Sequence, residues 1–261
     1  MNISFHWPFR WPIRIDRSSV GKIVYGLPDP AKFTKAFNAQ KAFLPNAKGM
    51  PPVDWTKWKD VIDEYESRVL VWYIHPVDEQ INNKHGSVNP AYPLMFTLCA
   101  LIDLLAQYAY DLDWHSPKHY QRFVRDKLPE FNATLTSPIE YTREDRNGGW
   151  QQSKLKTRAQ VFYAGFRCSL LHHGDLASFC GMTALQPDAA GTPTLLKVIP
   201  NAGTSLDGKH SYDLHVVDPT TLKNRVIGIF RQYCNELRAN PNSALAKSYR
   251  RKFEQDYGVK I

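Results

Sequence analysis

The sequence predicts a mainly α-helical protein, in which a small β-hairpin is inserted into a helical bundle and an extended arm precedes the bundle. Apolar side chains recur at helical spacing in several segments, and Ser116-Pro117 and Asp218-Pro219 have the composition of helix starts. A single pair of segments has the pattern of a hairpin. With 261 residues, of which 43% are hydrophobic, the chain can bury a sizeable core.

Residues 1–52 are the predicted arm. They are basic and rich in aromatic residues, and their prolines forbid a long early helix (Pro8, Pro12, Pro28, Pro30, Pro45, Pro51 and Pro52). Such an arm would either lie against the body of the protein or contact nucleic acid through Arg10, Arg14 and the tryptophan rings. We interpret the remainder, 53–261, as one helical domain.

Six helices are predicted in that domain. Their apolar spacing and their caps give the approximate ranges 54–73, 94–110, 117–128, 156–173, 219–237 and 243–256. The second is apolar on nearly every face, which predicts a fully buried helix in which the carboxylate of Asp103 stands out. The hairpin is predicted over 194–199 and 211–217, and residues 132–153 are predicted to be a polar loop.

Positive charge is concentrated at both ends of the chain. Residues 1–60 carry ten Lys and Arg against four Asp and Glu, residues 220–261 carry nine against three, and the whole chain has a net charge of +8. Basic segments of this kind either bind a polyanion such as RNA or are simply solvated. Six basic residues of the last two helices are the candidate RNA contacts: Arg231, Arg238, Lys247, Arg250, Arg251 and Lys252.

The composition argues against secretion, a membrane span and a disulfide scaffold. The four cysteines include no CxxC pair and predict free thiols in a reducing compartment. The best apolar run, 94–110, contains Asp103 and Gln107 and falls short of the roughly 18 to 20 apolar residues that span a bilayer. Prolines and arginines interrupt the first fifteen residues, so no signal peptide is expected. We therefore expect a cytoplasmic protein without membrane contact.

The segment FRCSLLHHG carries the candidate chemistry, because it places Arg167, His172 and His173 at the end of an otherwise apolar helix. Arginine stays protonated and binds phosphate in a bidentate manner, and histidine moves protons near neutral pH. Together they would cleave RNA without a metal: a base deprotonates the ribose 2′-hydroxyl and a cation stabilises the charged phosphorane. The spacing alone is close to chance, since Arg68 and His75 show a similar one.

The order of three segments gives this motif a context. The helix containing CALIDLLAQYAY, the following YQRFVRDKLPEF and the later VFYAGFRCSLLHHG together resemble the HEPN family (higher eukaryotes and prokaryotes nucleotide-binding domain) over roughly residues 90–240. Members of that family are α-helical bundles with an Arg-x(4–6)-His motif late on a long helix, and many have an IDLLA-type helix upstream. The family's arginine falls on Arg167 and its histidine on His172.

The resemblance implies a HEPN-like bundle that acts as a metal-independent endoribonuclease of toxin or phage-defence type. It implies a homodimer without a cofactor, with RNA as substrate and an antitoxin or a companion defence subunit as a further partner. Arg167 would hold the scissile phosphate and His172 would act as base or acid, leaving a 2′,3′-cyclic phosphate and a 5′-hydroxyl. His173, Asp103 and Ser169 are candidate supporting residues, Asp103 being either an orienting group or a satisfied buried carboxylate.

Helix geometry also favours a dimer. Residues five apart on an α-helix are rotated by about 140° and rise by about 7.5 Å, so Arg167 and His172 of one helix do not form a compact pair. Two copies of the helix about a two-fold axis would bring two arginines and two histidines to one cleft.

Three other interpretations stay open. Active family members often have Asn, Asp or His after the motif arginine, and this chain has Cys168, which favours a catalytically inactive HEPN-like module that binds RNA or protein. Alternatively, the two histidines have a capping role, since a protonated histidine in the last turn is stabilised by the helix dipole. Cys168, His172 and Cys180 supply three zinc ligands without a paired Cys/His knuckle, so no metal site is predicted.

Overall fold

The structure is a computed structural model that describes residues 57–75, 91–144, 150–204 and 211–257. The predicted arm over 1–52 lies outside these residues. About 59% of the structure is helical, and the described ranges contain six helices and two small sheets. The protein is therefore mixed α/β with helix predominating, which agrees with the expected helical character and adds more sheet than expected.

The helices begin and end close to their predicted limits. Helix α1 spans Trp58–Val69 and continues as a π-helical turn over Leu70–Ile74, and α2 spans Ala91–Ala109. Helix α3 spans Pro117–Lys127 and is followed by a short 3-10 turn, Pro129–Phe131. Helix α4 consists of three consecutive segments, Arg158–Val161, Phe162–Cys168 and Ser169–His173, of which the middle one is π-helical. Helices α5 and α6 span Pro219–Ala239 and Ala244–Tyr257.

The strands form two separate sheets. Strands β1 (Thr134–Glu144) and β2 (Trp150–Thr157) are an antiparallel pair. Strands β3 (Cys180–Met182), β4 (Leu196–Thr204) and β5 (Ser211–Val217) form a second sheet in the order β3-β5-β4. The predicted hairpin is confirmed as β4 and β5, which are antiparallel, and β3 adds a parallel edge to it.

The prediction of a polar loop over 132–153 is wrong, because most of this segment forms β1 and the start of β2. The buried residues among the described side chains of β1 are Leu135 and Ile139, which are four positions apart. The register between the two strands shifts between Thr134 and Ile139. Leu135 and Ile139 share a face, but Ser137 lies between them on that face and Pro138 interrupts the segment, so the sequence lacks the alternation by which a strand is recognised.

The described residues divide into two compact units, and the expectation of one helical domain over 53–261 stays a prediction. The first consists of 57–71 together with 234–257, and the second runs from 72 to 233. In the first unit the Trp58 indole donates a hydrogen bond to the Leu237 carbonyl oxygen at 2.7 Å. The rings of Trp58 and Tyr65 both meet Tyr249 edge-on, with centroids 5.7 and 5.2 Å apart.

The core of the second unit is built around α2. This helix is long and apolar enough to cross a membrane, contrary to the expectation from the run 94–110, but most of its apolar stretch is buried inside the protein. That burial is what a core helix requires. Next to it, α3 and α4 contribute an aromatic cluster in which Phe162 contacts Phe131, Phe166 and Tyr120.

Gly165 allows the chain after α4 to pass close to the helix. A Cβ at this position would lie 2.2 Å from the Cys180 Sγ and 2.7 Å from the Phe179 ring. The Ala177 amide also donates a hydrogen bond to the Gly165 carbonyl oxygen at 3.2 Å. A side chain larger than hydrogen is therefore incompatible with this crossing.

Gly165→Ala is expected to lower the free energy of unfolding by about 1–3 kcal/mol, because the added methyl group has no room and its neighbours must move. The change is measured as the shift in the urea midpoint at unchanged m-value.

Gly228→Ala is the matched control. Gly228 lies within α5, and apart from the adjacent backbone of that helix no atom of the described residues lies within 4 Å of a Cβ built there. Alanine should therefore stabilise the helix by about 0.5–1 kcal/mol through its better helix propensity. Similar losses in both variants would contradict the close-approach explanation.

Candidate functional site

Helix α4 carries the candidate motif and has an irregular middle turn. Its start is fixed by a capping box in which the Thr157 hydroxyl accepts from the Gln160 amide, and it ends at Gly174, whose φ is +74°. Between them the chain widens to i→i+5 bonding over Phe162–Cys168. The Ser169 hydroxyl donates to the Ala164 carbonyl oxygen at 3.0 Å, five residues back. Such π-helical turns occur frequently at functional sites.

Arg167 lies in this turn and points into the protein. Only 6% of the residue is exposed, and its Nη2 donates to the Asp103 Oδ2 at 3.0 Å. Asp103 comes from the middle of α2 and is 2% exposed. The lone carboxylate of the apolar helix and the motif arginine are thus one buried ion pair.

The ion pair continues into a histidine and a tyrosine. The other carboxylate oxygen of Asp103 lies 2.6 Å from the Nδ1 of His115, in the segment between α2 and α3. The Nε2 of His115 lies 3.0 Å from the hydroxyl oxygen of Tyr163, and the two rings stack at 8°. Tyr163 also lies under Arg167, whose guanidinium carbon is 5.7 Å from the ring centroid. We call Asp103, Arg167, His115 and Tyr163 the polar network.

Asp103 and Arg167 each stabilise the charged form of the other. Burial acts to raise the pKa of Asp103, but the hydrogen bond from His115 and the charge of Arg167 outweigh it, so this pKa lies below its usual value. Burial acts to lower the pKa of Arg167, and the attraction of Asp103 more than compensates. Burial, assisted by Cys168, raises the pKa of Tyr163. At neutral pH the network therefore contains a carboxylate, a guanidinium and a protonated phenol.

Such a network is not explained by stability alone. A buried ion pair costs several kcal/mol per ion in desolvation, and apolar residues of similar volume are often at least as stabilising. The Arg167 Nε is also buried, and no described residue supplies an acceptor for it. Clusters of perturbed ionisable groups are found preferentially at functional sites. The polar network is therefore our candidate functional site.

The structure separates the two motif residues of one chain. Arg167 is buried with Asp103, whereas His172, the fourth of the five residues in the last segment of the helix, is exposed to solvent. The side chain of His173 lies outside the described part of the chain. The Ser169 hydroxyl is bonded to the helix backbone instead of to the network.

The six basic residues expected to contact RNA differ in their availability. Lys252 is only 3% exposed. Arg238 pairs with Asp63 at 2.7 Å and with Glu66, and Arg250 lies 4.0 Å above the Trp58 ring. These three side chains are therefore buried or engaged within the protein. The side chains of Arg231, Lys247 and Arg251 are exposed.

Sequence reasoning identified half of the network. Asp103 was conspicuous as a carboxylate in an apolar helix, and Arg167 came from the motif. His115 and Tyr163 were missed: the first lies in a short connection without periodicity, and the second belongs to an apolar run in which a tyrosine resembles any core aromatic residue. The one signal in the sequence that could have pointed to further polar partners was Asp103 itself, since a buried carboxylate needs several hydrogen-bond partners.

Within the described ranges, no group of three or more His, Cys, Asp or Glu side chains is arranged to hold a metal ion. Comparisons with protein-family models, curated proteins and solved structures found no match for this chain.

Removing one partner of the ion pair is expected to be far more damaging than removing both. Asp103→Asn leaves the Arg167 charge buried without a counter-charge and should lower the free energy of unfolding by about 3–5 kcal/mol. The double variant Asp103→Leu, Arg167→Met removes both charges and should recover most of that loss. Chemical denaturation of the wild type and both variants measures the difference.

A double variant as unstable as Asp103→Asn would contradict the buried-charge explanation. It would show that the shape of the pair, and not its charge balance, is what the core requires.

Proposed function

We propose that the protein is a metal-independent endoribonuclease of toxin or phage-defence type, with a HEPN-like bundle formed around α2, α3 and α4. The observation that best supports this proposal is the polar network. In it the motif residue Arg167 pairs with Asp103, which is hydrogen-bonded to His115 and, through it, to Tyr163. The helix that contributes Arg167 also presents the exposed His172. A buried cation, imidazoles and a phenol are sufficient for RNA cleavage without a metal.

The chemistry needs three contributions. One group takes the proton of the ribose 2′-hydroxyl, a positive charge stabilises the phosphorane, and one group protonates the departing 5′-oxygen. In this proposal Arg167 provides the charge and His172 transfers a proton. The products carry a 2′,3′-cyclic phosphate and a 5′-hydroxyl, and no cofactor takes part.

The separation of Arg167 from His172 supports a homodimer. In one copy the side chain of Arg167 is buried in the core and that of His172 is exposed to solvent, so the two side chains lie on different faces of the helix. A second copy packed on the first would supply the exposed histidine from outside. We place the enzyme in the cytoplasm, where an antitoxin or companion subunit would control it.

Trp114 supports RNA as the substrate class. It directly precedes His115 and is 68% exposed, which is unusual for so large an apolar side chain. Exposed aromatic rings beside a polar site are the means by which proteins stack unpaired bases. The exposed Arg231, Lys247 and Arg251 would add contacts to the RNA backbone.

A second candidate function is a catalytically inactive module of the same fold that binds RNA or protein. The specific observation in its favour is the burial of Arg167, whose side chain is only 7% exposed and so does not meet a phosphate at the surface of one copy. Cys168 in place of a polar residue favours it as well.

Cleavage in excess EDTA distinguishes the two candidates. The wild type should cleave total or transfer RNA in the presence of the chelator, because no step uses a metal, and its products should have cyclic phosphate ends. His172→Ala should reduce the rate by about 10²–10⁴-fold, the range of one proton-transfer group. Denaturing gels with end-group analysis provide the measurement.

His119→Gln is the matched control, since His119 hydrogen-bonds to Ser116 and stands outside the polar network. Its rate should equal that of the wild type. Absence of cleavage by the wild type would favour the binding module, and cleavage abolished by EDTA would exclude the metal-free mechanism.

Trp114→Ala should weaken RNA binding more than it slows the chemical step. Loss of one stacking platform is expected to cost about 1–3 kcal/mol of binding free energy. KM for a single-stranded oligonucleotide should rise accordingly while kcat stays within a few-fold. Phe96→Ala, which removes another exposed aromatic side chain at 37% exposure, is the comparison variant and should leave KM unchanged.

A further inference from the structure

The part of the polar network that reaches solvent is the histidine, not the arginine. The side chain of His115 is 27% exposed, whereas those of Arg167 and Asp103 are 7% and 3% exposed. Tyr163 is half-buried beside it. A molecule that approaches from solvent would therefore meet His115 and Tyr163 before it could reach the guanidinium.

The hydrogen bonds fix which atoms donate. The low pKa of Asp103 keeps its carboxylate ionised, so the Nδ1 of His115 must carry the proton in the 2.6 Å contact. In the neutral imidazole the Nε2 is then an acceptor, and the Tyr163 hydroxyl donates to it across 3.0 Å. Cys168 also hydrogen-bonds to this phenol, and because the phenol oxygen has two lone pairs, one is left for a donor from outside even when the thiol donates to the other.

We propose that Tyr163, His115 and Asp103 form a proton relay, in which the Tyr163 hydroxyl accepts the proton of the substrate 2′-hydroxyl and passes its own proton to His115. Tyr163 is the catalytic residue because it touches the substrate, and His115 and Asp103 act through it. The inference rests on the proposed ribonuclease function. It gives the base role to the relay and leaves the acid role to His172.

The step is balanced in atoms and charge. As the 2′-oxygen attacks phosphorus, its proton moves to the Tyr163 oxygen and the original phenolic proton moves to the His115 Nε2. The P–O5′ bond breaks, and a protonated His172 gives its proton to the 5′-oxygen. No free tyrosinate forms, so the raised pKa of Tyr163 is no obstacle. Proton exchange through water restores both histidines.

The surroundings of His115 allow it to become positive. Asp103, at 2.6 Å, stabilises an imidazolium, and Arg167 opposes it from the far side of that carboxylate. The aromatic ring of Tyr120 on α3 also faces it, with centroids 6.3 Å apart. Cys168, on the same helix as Tyr163, lies near the phenol. The titratable groups that bear on the pH dependence of the relay are thus Asp103, Arg167, Tyr163, Cys168 and Tyr120.

Two substrates separate the base from the acid. A ribodinucleotide needs both a base and an acid, whereas uridine 3′-(4-nitrophenyl phosphate) has a leaving group that departs without being protonated. Tyr163→Phe and His115→Asn should lose about 10²–10⁴-fold in kcat on both substrates. His172→Ala should lose as much on the dinucleotide but be close to the wild type on the nitrophenyl ester.

The variants are chosen to preserve structure. Phenylalanine keeps the ring against His115 and Arg167, and the side-chain amide of asparagine can still donate to Asp103 in place of the Nδ1. Melting temperatures identify any variant that fails to fold, and His119→Gln should keep wild-type kcat. The pH profile on the nitrophenyl ester adds an independent test: the acidic limb of the wild type should be absent in His115→Asn, which a purely structural role would not produce.

The outcomes are distinct. Wild-type kcat and an intact acidic limb in either folded relay variant would overturn the relay while leaving the ribonuclease function in place. Loss in His115→Asn with full activity in Tyr163→Phe would also overturn it, since His115 would then contact the substrate itself. Failure of the wild type to cleave either substrate would refute the proposed function, and the relay with it.

Discussion

The ion pair between Asp103 and Arg167 is the interaction on which the second unit depends. It joins the most apolar helix of the described residues, α2, to the irregular turn of α4, and both charges are almost completely removed from water. Neither residue is tolerable there without the other, because an uncompensated buried charge costs more than most single contacts contribute. The pair therefore joins the two helices at one defined position, where each charge requires the other.

The π-helical turn explains how one helix serves several partners at once. With wider turns, residues four and five apart come close together, which places Tyr163 beneath Arg167 and beside Cys168. The same turn weakens the regular backbone pattern, and the Gly165 carbonyl oxygen accepts a hydrogen bond from Ala177 outside the helix. Gly165 also leaves room for Cys180, so the sheet that follows the helix can pack against the turn.

The sequence predicted local structure better than it predicted tertiary contacts. Helix starts at Pro117 and Pro219 were correct, because caps and prolines act within a few residues. Strands β1 and β2 were missed, because most of their residues are polar and Pro138 interrupts β1. Asp103 and Arg167 were recognisable as candidates by chemical type, but nothing in the sequence indicates that His115 lies against both Asp103 and Tyr163, because these contacts join residues 12 and 48 positions apart.

The burial of Arg167 changes what an arginine in this position can contribute. A guanidinium that lies over the Tyr163 ring, in a side chain only 7% exposed, does not offer a phosphate at the surface the bidentate contact for which arginine is usually selected, so its direct contribution to the proposed phosphorane is limited to its charge. It can still hold Asp103 ionised, and an ionised Asp103 dictates that the Nδ1 of His115 donates and its Nε2 accepts. A lysine would keep the charge but lose the planar donors that reach Asp103 while covering the phenol ring. In the proposed relay the arginine therefore acts through the tautomer of His115, and Tyr163, one hydrogen bond further out, is the residue that would meet the substrate.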